Sequence, residues 1–204
     1  YFSRLAGEQG SQDIGFLSSL QAMDKSFIPT LYLDEDSVEK SDEERDEADP
    51  ASTQRPIAAA DMLELTLETG LSFQTYVNRG LRPDAAMKLQ SAMSQAQVTS
   101  LVYMSSEPPE SSDTSTSLSL GLRNCASLQK VVANPGLVRL LKGCTVPEVE
   151  LNLTYKTPDS CEQDLEYGLS EGGIASFTVK SRDMHLHCKL PLILQSVNAL
   201  VPPS

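Results

Sequence analysis

Apolar and polar residues alternate along much of the chain, and a period of two marks a strand with one face buried. Leu63, Leu65 and Leu67 alternate with Glu64, Thr66 and Glu68 until Gly70 interrupts the pattern. Leu118, Leu120 and Leu122 alternate in the same way, as do Val149, Leu151, Leu153 and Tyr155. Residues 165–169, 174–180 and 184–190 read as further strands, joined by Glu171-Gly172-Gly173 and Ser181-Arg182-Asp183. Residues 17–20 and 30–33 read as short strands around a turn at Met23-Asp24-Lys25-Ser26, and residues 98–104 are apolar and β-branched enough for another.

Two stretches have helical spacing instead. Asp84, after Pro83, reads as an N-cap, and Ala85, Leu89, Ala92, Met93 and Ala96 fall on one helical face behind it. A second helix is predicted from Asn124, with Cys125, Leu128, Val131 and Val132 inward. Asn134-Pro135-Gly136 ends it, and residues 137–142 add a helical turn. One basic helix followed by a meander of strands predicts an α+β fold, an antiparallel sheet with helices on one face. The chain divides into N-terminal strands (1–33), an acidic loop (34–56), a strand-helix-strand region (57–104), a flexible linker (105–117) and a helix with its sheet (118–204).

Charge sharpens this division. The net charge is −12, and residues 34–50 hold ten acids against two bases. That run carries too few large apolar residues to bury a core. Residues 121–145 hold Arg123, Lys130, Arg139 and Lys142 and no acid, while residues 79–104 hold Arg79, Arg82 and Lys88 against Asp84. Net positive charge is thus confined to the two stretches read as helices, a basic surface on an acidic body. No apolar run approaches the roughly 18 residues of a membrane span. The opening residues do not lead from a basic start into an apolar core, so no secretory signal is predicted.

Candidate chemistry is sparse. The four cysteines, Cys125, Cys144, Cys161 and Cys188, have irregular spacings without CxxC and read as free thiols, with two disulfides the alternative in a secreted chain. His185 and His187 share one strand face but lack the further ligands a metal needs. Gly172-Gly173 lacks the Lys and Ser/Thr of a phosphate-binding loop, and no GxSxG occurs. The carboxylates cluster in polar runs or exposed strand faces, where nothing would shift their pKa values for acid–base work. No catalytic residues, metal or cofactor are therefore expected. Leu31-Tyr32-Leu33 before Asp-Glu-Asp has the pattern of a small-modifier-binding strand, Asn152-Leu-Thr that of a glycosylation site, and Ser41 an acid-directed phosphorylation site; each also reads as chance.

Several strings together carry a family resemblance. Ser19-Leu-Gln-Ala-Met-Asp-Lys-Ser26, Phe73-Gln-Thr-Tyr-Val-Asn-Arg79, Leu118-Ser-Leu-Gly-Leu122 and the helix proposed at 124–132 resemble, in order, segments of DNA sliding clamps of the proliferating cell nuclear antigen type. Leu169-Ser-Glu-Gly-Gly-Ile-Ala-Ser-Phe-Thr-Val-Lys180 is more similar to the checkpoint clamp, and to its Rad-one-type subunit. Residues 35–62 and 80–116 have no counterpart there. The resemblance implies a nuclear, non-enzymatic subunit of a heterotrimeric ring that encircles duplex DNA without reading its sequence. It implies two related clamp subunits, an ATP-driven clamp loader, and repair or checkpoint proteins as partners, with no membrane and no cofactor. Arg79, Arg123, Lys130, Arg139 and Lys142 would face DNA, with Arg82 and Lys88 as further candidates.

A second reading needs no DNA. The chain is then a protein-interaction module with an acidic regulatory loop, binding a partner through an exposed strand edge. The two readings separate on the fold: a clamp requires the four cations of residues 121–145 together on the helix side, away from the sheet.

Overall fold

A computed structural model describes residues 7–33, 58–78, 80–105, 109, 111–153, 161–169 and 173–181. Six strands form one sheet in strictly sequential order: β1 (Thr30–Leu33), β2 (Phe73–Val77), β3 (Val98–Tyr103), β4 (Lys130–Ala133), β5 (Glu148–Leu153) and β6 (Ser176–Ser181). All five pairings are parallel. Helices α1 (Gly7–Met23), α2 (Ala59–Thr69), α3 (Pro83–Ser94), α4 (Ser112–Asn124), the short α5 (Pro135–Val138) and α6 (Cys161–Leu169) alternate with the strands, and a 3-10 turn (Arg139–Leu141) continues α5.

The fold class is therefore α/β, and the antiparallel sheet expected from the sequence is corrected. The reason lies in four segments read as strands that are helices. Residues 17–20 belong to α1, residues 63–67 to α2 and residues 118–122 to α4; residues 165–169, in α6, make a fourth such reversal. The stretch from Asn124 to Val132, read as a helix, holds a turn and then β4. With helices restored between strands, hairpins become crossovers, and a crossover returns the chain parallel to its start. The strands read at 30–33, 98–104, 149–155 and 174–180 and the helix after Pro83 fall where the structure has strands and a helix, with bounds shifted by a few residues. Residues 34–56 and the strand read at 184–190 lie outside the described residues.

Local chemistry sets the helix ends. Ser111 caps α4, its Oγ accepting from the Thr114 amide at 3.0 Å. Pro83 opens α3, where its missing amide costs nothing and its fixed φ suits the first turn. Gly70 closes α2 in the left-handed conformation, φ 66°, with its amide on the Leu67 carbonyl. Each helix then buries one stripe: Ala59, Ala60, Met62, Leu63 and Thr66 on α2; Ala85, Leu89, Ala92 and Met93 on α3; Thr114, Ser117, Leu118, Gly121 and Leu122 on α4.

The strands meet those stripes with every second residue. Leu31, Thr75, Leu101, Val131 and Val149 form one row across the sheet, and Leu33, Val77, Tyr103, Ala133 and Leu151 the next. These residues are buried, and most share one core with Ile14, Leu63, Leu89, Leu118 and Leu122 of the helices. A buried leucine truncated to alanine in such a core costs about 2–5 kcal/mol. Each strand-and-helix unit packs on the units before and after it, the organisation of a solenoid.

Candidate binding face on the open side of the sheet

Because side chains alternate across a strand, the residues between the buried rows point to the other side of the sheet. Parallel sheets are usually covered on both faces; here, among the described residues, helices cover only one. The other face is about 24 Å across at the ~4.8 Å spacing of strands.

Its composition changes along the strand order. One row runs Tyr32, Tyr76, Val102, Val132, Glu150, Thr178, and beside it runs Thr30, Gln74, Ser100, Lys130, Glu148, Ser176. The first four residues of the first row make an aromatic and aliphatic stripe. Tyr32 and Tyr76 stack with ring centroids 5.3 Å apart at 44°, a favourable tilted arrangement worth about 0.5–1.5 kcal/mol beyond burial. Tyr32 remains 49% exposed. A strand face turned to solvent ordinarily carries polar residues; Tyr76 and Val102 are half-buried and Val132 is buried, so the β1–β3 end of the stripe is the part that offers apolar surface of the kind partners cover.

Beyond the stripe the face becomes ionic. Lys130 Nζ lies 2.6 Å from Glu148 Oε1 and 3.4 Å from Glu150 Oε2, and Lys180 Nζ lies 2.9 Å from the same Glu150 oxygen. Glu150 is buried. Burial opposes its ionisation, but the Lys180 and then the Lys130 ammonium outweigh it and hold the carboxyl below its ordinary value. The hydrogen bond to Glu148 leads the causes that raise Lys130 above its ordinary value, working against desolvation. One buried carboxylate thus fixes two lysines from the strands on either side of its own, giving a nearly neutral end to the face.

The cations singled out in the sequence separate into two places. Lys130 is on β4, in this ionic cluster on the open face. Arg123, Arg139 and Lys142 lie on the helix side around Tyr167 of α6. The Arg139 guanidinium carbon is 5.3 Å and Lys142 Nζ 4.5 Å from the Tyr167 ring centroid. Arg139 also lies 3.4 Å from Asp164, and Arg123 Nε donates to the Lys142 carbonyl at 2.8 Å. Lys88 pairs with Glu64 between α3 and α2, Arg82 precedes α3, and Arg79 lies outside the described residues. The four cations of residues 121–145 therefore do not share a face.

The thiols are structural where described. Cys125 and Cys144 are free and buried. Burial pushes the Cys144 thiol up to about 11 against the opposing charge of Arg123, so it is not a thiolate at neutral pH. The side chain of Cys161 and residues Cys188, His185 and His187 lie outside the described residues. Among the described residues no group of three or more His, Cys, Asp or Glu could hold a metal ion, and no helix is long and apolar enough to cross a membrane.

Sequence reasoning did not bring Tyr32, Tyr76, Val102 and Val132 together as a site, although Tyr32 stood within the small-modifier-binding pattern. The signal was there in part: Tyr76-Val77 and Val131-Val132-Ala133 place apolar residues on both faces of a strand. Reading it requires knowing the register of strands from four separate units. No family model and no curated protein matches the chain.

Proposed function

We propose that this chain is a non-enzymatic protein-interaction scaffold that binds a partner protein on the open face of its sheet. The observation that carries this reading is the row Tyr32, Tyr76 and Val102, exposed or half-buried on the side of a parallel sheet that no described helix covers and continued by the buried Val132. Solenoids present extended faces of this kind to partners, and aromatic residues backed by a rigid sheet are typical anchors of an interface. The charged cluster at the far end sets orientation more than affinity.

A phosphate-facing surface needs its cations together, whereas Lys130 is held by Glu148 and Glu150 on the opposite side of the sheet from Arg123, Arg139 and Lys142. The experiment compares two variants in binding to a partner purified with the chain from its native source. Tyr32→Ser/Tyr76→Ser is expected to weaken the complex by about 2–4 kcal/mol, and Arg139→Ser/Lys142→Ser to leave it nearly unchanged. Salt-sensitive retention on duplex DNA, abolished by charge reversal at Lys130 and Arg139, would contradict the proposal and restore the clamp.

A further inference from the structure

The half of the open face on β1–β3 carries no charged side chain among the described residues. Tyr32, Tyr76 and Val102 form one row there, and Thr30, Gln74 and Ser100 the row beside it. Gln74 is exposed, and Thr30 and Ser100 are half-buried. The apolar row also steps down, because a tyrosine stands higher than a valine: exposure falls from 49% at Tyr32 to 6% at Val132 on β4. On β4–β6 the charged residues of this face are Lys130, Glu148, Glu150 and Lys180, two of each sign. The described face is therefore neutral, and the net charge of −12 lies elsewhere on the chain.

Area limits what fits there. Neighbouring rows lie about 7 Å apart along a strand, and the first and fourth strands about 14 Å apart. With side chains included, the two rows make a patch about 10 Å wide and 20 Å long, roughly 200 Å² against the ~800 Å² per partner of a standard interface. That is the footprint of one α-helix of about 13 residues, which is about 10 Å across. Spacing then separates a helix from an extended peptide. The row repeats every ~4.8 Å, one residue per strand. A helix returns the same face about every 5.4 Å, so over three intervals it drifts by about 2 Å, which side chains absorb. An extended peptide presents alternate residues every ~6.6 Å and drifts by about 5 Å, a whole strand.

Resting on the open-face reading above, we infer that the partner enters as a single basic amphipathic helix laid across β1–β4, its apolar ridge on Tyr32, Tyr76 and Val102. The ridge has the i, i+4, i+7 spacing by which helices are recognised on apolar surfaces. Its bulkiest residue sits over the step between Tyr76 and Val102. One polar flank meets Thr30, Gln74 and Ser100, whose hydroxyls and amide both donate and accept hydrogen bonds. The Lys and Arg of its outer sides answer the −12 of the chain, which steers association and selects against acidic helices.

A random peptide library of about 16 residues, displayed on phage and selected against the full chain, tests this. Enriched peptides are expected to carry apolar residues at helical period with Lys or Arg between them. Synthetic copies, measured by fluorescence anisotropy, are expected to bind Tyr32→Ser/Tyr76→Ser at least about tenfold more weakly and to lose affinity as salt is raised. A proline at a central, outward-facing position of the peptide is expected to cost at least about tenfold as well. Tyr32→Ser alone weakens binding in the same direction, while Met87→Ser, at an exposed methionine on α3, leaves it unchanged. Unchanged circular dichroism confirms that each variant is folded.

Enriched peptides that need Tyr32 and Tyr76 but alternate apolar residues with a period of two, carry net negative charge, or tolerate the proline overturn the helix and keep the open face. Enriched peptides indifferent to Tyr32 and Tyr76 overturn both. A selection that enriches no peptide overturns the helix.

Discussion

Single residues carry distinct energetic signatures. Thr75 sits in a buried row between Leu31 and Leu101, and its hydroxyl has no hydrogen-bond partner among the described residues. A buried polar group without a partner costs stability, so Thr75→Val is expected to raise unfolding free energy by about 1 kcal/mol in urea denaturation. Asn134 presents a mixed case, its Oδ1 without a partner among the described residues but its amide nitrogen well used. It is buried after β4, and its Nδ2 donates to the carbonyls of Met104 at 2.5 Å and Ser105 at 3.1 Å, tying one unit's turn to the previous unit's. Asn134→Ala leaves those carbonyls unpaired and is expected to destabilise by about 1–3 kcal/mol. Ala96 holds φ 57° after α3, where a Cβ is strained by roughly 1–2 kcal/mol. Ala96→Gly is therefore expected to be neutral or to stabilise modestly, an outcome unusual for a glycine substitution.

Elements differ in how closely they approach. On α6, a Cβ at Gly168 would stand 2.0 Å from the Val138 carbonyl oxygen of α5. On α4, a Cβ at Gly121 would meet the Met93 sulfur at 2.6 Å. The first obstacle is backbone and the second the end of a flexible side chain. Gly168→Ala is thus expected to cost about 1–3 kcal/mol as α6 is pushed off, and Gly121→Ala distinctly less, both measured by thermal unfolding. The elements also show how much of the fold was legible. The strand at 98–104 and the helix behind Pro83 could be read because β-branched runs and a proline start are local signals. The helix α4 could not, because its buried stripe includes Thr114, Ser117 and Gly121, small residues that hydropathy does not count. The leucines at 118, 120 and 122 then gave a false period of two, with Leu120 in fact 41% exposed. In α2 the alternating Leu63, Leu65 and Leu67 hid a stripe that Ala59, Ala60, Met62 and Thr66 complete. Missing those helices turned crossovers into hairpins and a parallel sheet into an antiparallel one. The candidate face needed the register of four strands, because apolar residues on both faces of a single strand do not say which strands stand beside it.

At the scale of the whole molecule, charge and shape act together. Glu150, held below its ordinary value by Lys180 and Lys130 despite burial, favours the folded state. That contribution is fully present above the ordinary value of 4.5 and is lost as pH falls through the lower value of the folded chain. Glu150→Gln is accordingly expected to lower stability at neutral pH and to lose that deficit in acid, measured by unfolding at a series of pH values. The open face remains the main functional expectation of the fold. It is tested most directly by tyrosine nitration followed by mass spectrometry, on dilute chain with and without saturating partner. Tyr32 on the open face and Tyr167 on the helix side are 49% and 47% exposed, and so serve as matched probes. The account predicts that partner binding protects Tyr32 and Tyr76 and leaves Tyr167 reactive; protection of Tyr167 with Tyr32 and Tyr76 still reactive would contradict it.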